Sequence, residues 1–189
     1  LVRNANKFPN GRAIVSEARS ITYKILNERV NALASQLIRK GLQKGDRLRI
    51  LLHNCSQFVE LYFAAARTGA IFSSYDNHSK ERELKETINY SAPKVLVFDP
   101  DFSERIDGLK GELDSVQHYI ELQKPHLSFA HHYEDLIAQG DRAEPSLPVY
   151  EDDVMSIFFT SGTTGKPKGA MRTHRHVIAN IIAGLIELK

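Results

Sequence analysis

The sequence predicts an α/β fold with a largely parallel sheet flanked by helices, and two observations support this. Short apolar runs typical of buried strands alternate along the chain with segments whose apolar residues recur at helical spacing. The composition is that of an ordinary globular protein, with 189 residues of which 42% are hydrophobic and 25% charged. A chain of this length can bury one substantial core.

The first half of the chain carries the clearer element signals. Strands are predicted at 13–16, 21–23, 48–52 and 70–73. Thr22 is in position to cap a helix whose apolar residues continue to Leu37, with Gly41 beyond its end. Ser56 is predicted to cap a second helix over 58–67. Because apolar residues cover nearly every side of that segment, we expect it to be buried.

The second half is more polar, and its elements are weaker. A charged surface helix is predicted over 80–90, followed by a strand at 95–98 between two prolines. The stretch 101–139 is expected to hold two helices flanking a strand at 119–122. The proline-containing segment 143–150 is predicted to be a connector.

The most informative stretch follows a predicted buried strand at 154–159. It reads Thr160-Ser161-Gly162-Thr163-Thr164-Gly165-Lys166-Pro167-Lys168-Gly169. Glycines let the backbone turn sharply and approach a ligand closely. Hydroxyls and backbone amides supply donors, and two ammonium groups supply charge suited to phosphate. The run predicts a polyphosphate-binding loop, followed by a brief strand at 169–172 and a helix capped by Thr173.

The spacing of this run separates it from the common P-loop. That motif requires glycine, four residues, and then glycine, lysine and a hydroxyl residue. Here two residues separate Gly162 from Gly165, and Pro167 stands where the hydroxyl would be needed. A flexible linker is the alternative interpretation, but linkers are not usually preceded by a buried apolar strand.

The ten residues closely resemble the phosphate-binding signature of the adenylate-forming superfamily, which includes acyl-CoA synthetases, luciferases and adenylation domains of peptide synthetases. Other segments resemble this family in the same order along the chain. They are Ile21-Thr22-Tyr23, Gly45-Asp46-Arg47 with Leu51-Leu52-His53-Asn54, and the run from Phe63 to Ala70. The resemblance implies that 1–189 is the N-terminal part of an AMP-binding large domain. His53, Ser56 and the stretch 73–78 depart from the family pattern, so no acyl-pocket residue is assigned there.

The resemblance also implies an activity. A carboxylate would attack ATP to give an acyl-adenylate and pyrophosphate, and a thiol, most often that of coenzyme A, would then displace AMP. The implied phosphate-binding residues are Thr160, Ser161, Gly162, Thr163, Thr164, Gly165, Lys166 and Lys168, with Mg²⁺ accompanying the ATP. A solvated surface position is the alternative for each lysine. The family's adenine, ribose and C-terminal-domain segments have no counterpart in 1–189, so no catalytic residue is assigned and the chain alone is expected to be inactive.

Composition argues against several other functions. The net charge is +2 with basic and acidic residues interspersed, so no nucleic-acid-binding surface is predicted. No apolar run has the length of a membrane span. The single cysteine, Cys55, fits a reducing compartment, and we expect a cytoplasmic location. His174 and His176 lie two residues apart and would point to different sides of a helix, so no metal site is predicted.

Two other interpretations remain for the function. The chain could be a non-catalytic relative or interaction module that keeps this fold, or a regulatory domain that senses ATP without turnover. The sequence begins at Leu1 without a methionine and stops within a helical pattern, which suggests an excised piece. Such a piece would expose apolar surface, so we expect self-association or marginal stability.

Overall fold

The computed structural model describes residues 1–16, 19–74, 81–124, 126–160 and 168–187. The helices are α1 (Val2–Lys7), α2 (Tyr23–Arg39), α3 (Ser56–Thr68), α4 (Glu81–Ser91), α5 (Ser103–Leu109), α6 (Tyr133–Gln139) and α7 (His174–Glu187). The strands are β1 (Arg12–Val15), β2 (Ser20–Thr22), β3 (Arg47–Leu51), β4 (Ile71–Ser74), β5 (Val95–Phe98), β6 (His118–Glu121), β7 (Ala130–His132), β8 (Val154–Thr160) and β9 (Lys168–Thr173).

Seven strands form one sheet in the order β7-β6-β5-β3-β4-β8-β9. Neighbouring strands run parallel from β7 to β8, whereas β8 and β9 form an antiparallel hairpin at one side of the sheet. The parallel strands therefore all end at the same edge, which we call the carboxyl edge. β1 and β2 form a separate antiparallel ribbon. The predicted α/β fold with a largely parallel sheet is confirmed.

The sheet is covered by helices on both faces. On one face, Leu48 and Ile50 of β3 belong to a buried cluster that includes Leu33 of α2, Leu61 of α3 and Tyr133 of α6. The opposite face forms a second cluster, which contains Leu84, Ile88, Leu96, Phe98, Ile106 and Leu109. Because side chains alternate along a strand, β3 and β5 contribute to both clusters. The strands at the centre of the sheet are therefore buried on both faces.

The helix after β2 begins where its sequence predicts. Thr22 is the N-cap, and its Oγ1 accepts a hydrogen bond from the Ile25 amide at 3.3 Å. Its buried stripe includes Leu26, Val30, Leu33 and Leu37. Gly41 follows with a φ of 83°, a conformation that glycine adopts without the steric cost of a Cβ.

Two expectations for α3 were wrong. Cys55, not Ser56, is the N-cap, and the Ser56 hydroxyl instead accepts a hydrogen bond from Arg19 Nε at 3.0 Å. The helix is buried on one side only, with Leu61, Ala64 and Ala65 inside. The apolar residues of its other sides are half-buried, because among the described residues only one side of α3 is fully covered; they include Phe58, Val59, Tyr62 and Phe63.

The structure also corrects the predicted burial of β8 and adds a strand to the polar middle of the chain. In β8, Met155 and Ser156 are buried, whereas Val154 and residues 157–159 are half-buried. The strand lies next to the end of the sheet, and α7 has no buried residue among those described. The short strand β7 was not predicted, because its residues, Ala130, His131 and His132, have no apolar pattern.

Candidate functional site

The hairpin of β8 and β9 brings together the two ends of the predicted phosphate-binding loop. Thr160, the last residue of β8, is the cross-strand partner of Lys168, the first residue of β9. Lys168 is exposed and belongs to a strand rather than to a loop. The predicted binding residues between them lie outside the described part of the chain; they are Ser161, Gly162, Thr163, Thr164, Gly165 and Lys166.

The end of the hairpin at which Thr160 pairs with Lys168 lies at the carboxyl edge of the sheet. Leu51, Ser74 and Phe98 end the neighbouring parallel strands, and β8 ends there as well because it runs parallel to β4. In open α/β sheets, ligands bind outside the carboxyl ends of the strands. The loop predicted from the sequence therefore begins at the edge of the sheet where a ligand is expected.

Gly169 lies where the hairpin has no room for a side chain. It is the cross-strand partner of Phe159. A Cβ at this position would lie 2.9 Å from Ile157 Cγ2 and 3.2 Å from Phe159 Cε1. The glycine therefore leaves room for the Phe159 ring beside the backbone of β9.

The Phe159 ring also links the hairpin to β3 and α4. The Arg49 guanidinium carbon lies 5.0 Å from the centre of the ring, and the Tyr90 ring meets it edge-on with centroids 6.0 Å apart. Arg49 is fully buried, and its Nη1 donates to Ser91 Oγ at 2.6 Å. Arg49 was not among the residues predicted from the sequence, although a charged residue inside the apolar run of a predicted strand is a signal that could have identified it.

Two acidic residues also lie at the carboxyl edge, one directly after a strand and one at the end of a strand. Neither was predicted from the sequence as a site residue. Asp99 follows β5 and accepts the His53 amide at 2.5 Å; burial raises the pKa of its carboxyl group. Glu121 ends β6 with no exposed surface. Burial opposes its ionisation, but hydrogen bonds from His126 and Ser103 outweigh this and lower its pKa. An acidic residue at the end of an apolar strand was the available signal.

The remaining candidate groups lack the features of a catalytic or metal site. Cys55 is half-buried, and burial raises its thiol pKa, which disfavours the nucleophilic thiolate. Burial also disfavours the charged form of His174, and so lowers the pKa of its imidazole. Within the described ranges, no three His, Cys, Asp or Glu side chains gather as a metal site would require.

Among the helices that the structure describes, none combines the length and apolarity needed to cross a bilayer.

A shallow groove of about 300 Å³ lies away from the loop, at the opposite edge of the sheet. It is lined by residues that include Phe63, Arg67, Leu147 and His174. His174 directly follows β9, at the end of the hairpin opposite to Lys168. The groove therefore does not adjoin the predicted phosphate-binding residues.

Comparisons with known proteins agree on one family. Residues 1–188 match the sequence profile described as "AMP-binding enzyme". The chain is 34% identical over 175 residues to the acyl-CoA ligase SID4 of Ajellomyces capsulatus, covering 84% of this chain and 30% of the relative. It is 30% identical over 172 residues to a long-chain-fatty-acid–CoA ligase of Thermus thermophilus, covering 91% and 31%.

A solved structure supports the same fold. The anthranilate CoA ligase AuaEII, crystallised with anthranoyl-AMP, superposes with a TM-score of 0.87 at 22% identity, covering 92% of this chain and 33% of that one. The present chain spans about a third of the length of the curated relatives it matches.

Proposed function

Because the chain belongs to the AMP-binding enzyme family, we propose that it supplies the phosphate-binding part of an enzyme that activates a carboxylate with ATP. The products would be an acyl-adenylate and pyrophosphate, and the acyl group would then pass to the thiol of coenzyme A. The pairing of Thr160 with Lys168 at the carboxyl edge carries this proposal, because it holds both ends of a donor-rich, glycine-rich run at the edge where ligands bind.

The chemistry explains why such a loop is needed. A carboxylate anion must attack the α-phosphate of a polyanion, so the barrier is largely electrostatic. Backbone amides of 161–165, with the hydroxyls of Thr160, Ser161, Thr163 and Thr164, would hold the β- and γ-phosphates. Lys166 and Lys168 would offset the charge that develops on the leaving pyrophosphate. The donor set fits ATP phosphates because it contains no acidic group.

Magnesium would neutralise phosphate charge alongside these lysines. The described residues offer no cluster of acidic side chains to hold the ion. From the resemblance to adenylate-forming enzymes, we propose that its protein ligand lies outside this chain, together with the adenine- and ribose-binding segments. On this proposal, residues 1–189 are inactive alone and work as part of a longer cytoplasmic enzyme.

The named relatives suggest the first acids to test. One is an acyl-CoA ligase and another is a long-chain-fatty-acid–CoA ligase. Fatty acids are therefore the leading substrate class for this protein, and aryl acids come second. Coenzyme A is the leading acceptor thiol.

The test is carboxylate-dependent release of pyrophosphate from Mg·ATP. This chain would be compared with a chain extended through any downstream coding sequence, using short, medium and long fatty acids and aryl acids. We expect release by the extended chain only, and a loss of at least about 100-fold when Thr163→Ala is combined with Lys168→Ala. Lys124→Ala, at an exposed lysine between β6 and β7, is the control and should keep full activity.

Two other outcomes would redirect the assignment. Saturable binding of Mg·ATP without carboxylate-dependent release, even by the extended chain, would identify a regulatory or non-catalytic ATP-binding relative. Full activity of the doubly substituted chain would refute the role assigned to the loop.

A further inference from the structure

We propose that Arg49 is a positioning residue for the phosphate-binding loop. It contacts Phe159 and thereby restrains the end of β8 and the start of β9, which flank the loop. This inference rests on the proposed function, since it assigns Arg49 a role in binding ATP. Arg49 itself would not touch the nucleotide; it would act through the Phe159 ring. Three sets of contacts support this role: those that fix the guanidinium, those that hold the Phe159 ring, and those between the ring and the hairpin.

The first contact fixes the guanidinium. Arg49 lies in the middle of β3 and has no exposed surface. Its Nη1 donates to Ser91 Oγ at 2.6 Å and to the Thr87 carbonyl at 3.1 Å, both on α4. The Ser91 hydroxyl in turn donates to the Thr87 carbonyl at 2.9 Å. A planar, permanently charged group bonded in this way is held in a defined orientation.

The second contact joins Arg49 to Phe159 across an intervening strand. Arg49 is in register with Ser73 of β4, and Ser73 is in register with Ile157 of β8. Phe159 lies two residues further along β8 and therefore on the same face of the sheet. The guanidinium carbon is 5.0 Å from the ring centre, within the range of a cation–π interaction, which is stronger where water is excluded.

Tyr90 holds the same ring from a second direction. Its ring meets Phe159 at an interplanar angle of 74° with centroids 6.0 Å apart, an edge-to-face arrangement that is favourable for aromatic pairs. Arg49 is hydrogen-bonded to α4, and Tyr90 is a residue of α4. The position of Phe159 is therefore set by α4 and β3 rather than by the hairpin alone.

The third contact transmits this position to the loop. Phe159 is bonded to Thr160, and its ring lies beside Gly169, which is bonded to Lys168. One aromatic ring therefore contacts both strands of the hairpin, one residue before Thr160 and one residue after Lys168. Restraining the ends of a loop before it binds reduces the entropy that binding must overcome. Loss of the Arg49 contact should weaken ATP binding more than binding of the acid.

Arg47 provides a matched control for a merely structural role. It lies two residues before Arg49 on β3, and its Nη2 donates to the Ala92 carbonyl at 2.6 Å while its Nε donates to the Ser91 carbonyl at 3.1 Å. Among the described residues, these hydrogen bonds join it to the end of α4 rather than to the Phe159 ring. Substituting Arg47 should remove these bonds to the end of α4 while the Arg49 and Tyr90 contacts with the Phe159 ring stay in place.

The first experiment is hydrogen–deuterium exchange on the extended chain. In Arg49→Met, amides of 158–160 and 168–170 should exchange about tenfold faster than in the unmodified protein, whereas in Arg47→Met they should stay within about twofold. Phe159→Leu removes the ring at a half-buried site and should give the same exchange pattern as Arg49→Met. This second variant tests the proposal if Arg49→Met does not fold. Unchanged exchange at these strand ends in either folded variant overturns the proposal.

The second experiment measures the consequence for ATP. Arg49→Met should raise the KM for ATP about fivefold or more while the KM for the acid changes by less than about twofold, and Arg49→Lys should restore part of the loss because it keeps a cation over the ring. If turnover is absent, the Kd for Mg·ATP replaces the KM, so failure of the proposed activity is distinguished from failure of this inference. Faster exchange with unchanged ATP affinity would refute the positioning role.

Discussion

At the scale of single residues, Glu121 illustrates how a buried charge is maintained at the carboxyl edge. Its carboxylate accepts Ser103 Oγ at 2.9 Å, the His126 amide at 2.9 Å and His126 Nδ1 at 2.8 Å. The side chain has no exposed surface, so these bonds replace the water that an ionised carboxylate would otherwise keep. The group therefore ties α5 and the segment after β6 to the end of the sheet.

The lowered pKa of Glu121 leads to a prediction about pH. Because the folded-state pKa lies below the ordinary value of 4.5, the ionised group stabilises the fold above that pH, and this stabilisation is lost as pH falls through the lowered pKa. Glu121→Gln should therefore reduce the free energy of unfolding at pH 7, and the difference from the unmodified chain should narrow as the pH falls below 4.5. Chemical denaturation at several pH values measures this. Asp107→Asn, at an exposed position on α5, is the control, and a gap independent of pH would contradict the prediction.

The sequence did not predict which charged side chains are buried. Glu121, Asp99 and Arg49 each follow or interrupt an apolar run, a local feature that also occurs at exposed positions. Glu121 and Arg49 are fully buried and Asp99 is half-buried, and this depends on tertiary contacts, such as that of Arg49 with Ser91. Residue types in the loop were informative for a different reason, because ten consecutive residues matched a known signature. Their predicted contacts with phosphate remain a prediction, since 161–167 lie outside the described residues.

At the scale of elements, three helices meet at one ion-pair network that is buried at Glu60 and partly exposed at Glu134. Arg29 of α2 donates to both oxygens of Glu60 of α3 at 2.8 and 3.0 Å, and to both oxygens of Glu134 of α6 at 2.9 and 2.7 Å. The Tyr133 hydroxyl adds a bond to Glu60 at 2.8 Å. Glu60 has no exposed surface, whereas the Glu134 side chain is 41% exposed. The two acidic residues therefore should contribute unequally.

We expect Glu60→Ala to destabilise the chain by about 3 kcal/mol, because it leaves the mostly buried Arg29 and Tyr133 without a shared acceptor. Glu134→Ala should cost at most about 1 kcal/mol, since that pair is open to water. Urea denaturation of both variants and of the double variant measures the two costs and their coupling. Equal costs for the two single variants would contradict the assignment of Glu60 as the central acceptor.

Local patterns located most elements but not their arrangement. The Thr22 cap and the strand 95–98 were predicted correctly because the responsible signals lie within a few residues of each other. Ser56 was assigned as a cap from the same kind of signal, yet its hydroxyl bonds to Arg19 instead. The order of strands in the sheet could not be read from the sequence, because it depends on pairings between distant segments such as β4 and β8.

At the scale of the whole molecule, α7 carries a large exposed apolar surface. Its most exposed apolar residues are Ile178 at 53%, Ile181 at 57%, Ile182 at 53%, Leu185 at 61% and Ile186 at 69%. Met171 on the adjacent strand β9 is also 66% exposed. Contiguous apolar surface of this kind promotes association in water.

We therefore expect residues 1–189 to self-associate, and Ile182→Lys combined with Leu185→Glu to shift the population towards monomer. Light scattering over a concentration series measures this. Ile25→Lys, at an isoleucine on α2 that is 46% exposed, is the control and should leave the distribution unchanged. A monodisperse monomer with a sharp thermal transition in the unmodified chain would contradict the expectation.

The strand order also has a consequence for how the chain is made. β8 pairs with β4, yet the chain builds β5, β6 and β7 on the other side of β3 before β8 is synthesised. During translation, the side of β4 that will pair with β8 therefore stays an unpaired sheet edge. The free backbone amides and carbonyls of such an edge can pair with strands of other nascent chains. The hairpin that closes this edge also carries the loop. The proposed ATP-binding segment is therefore synthesised only after β3 to β7, and an ATP-competent loop would require that these earlier strands are already in the sheet.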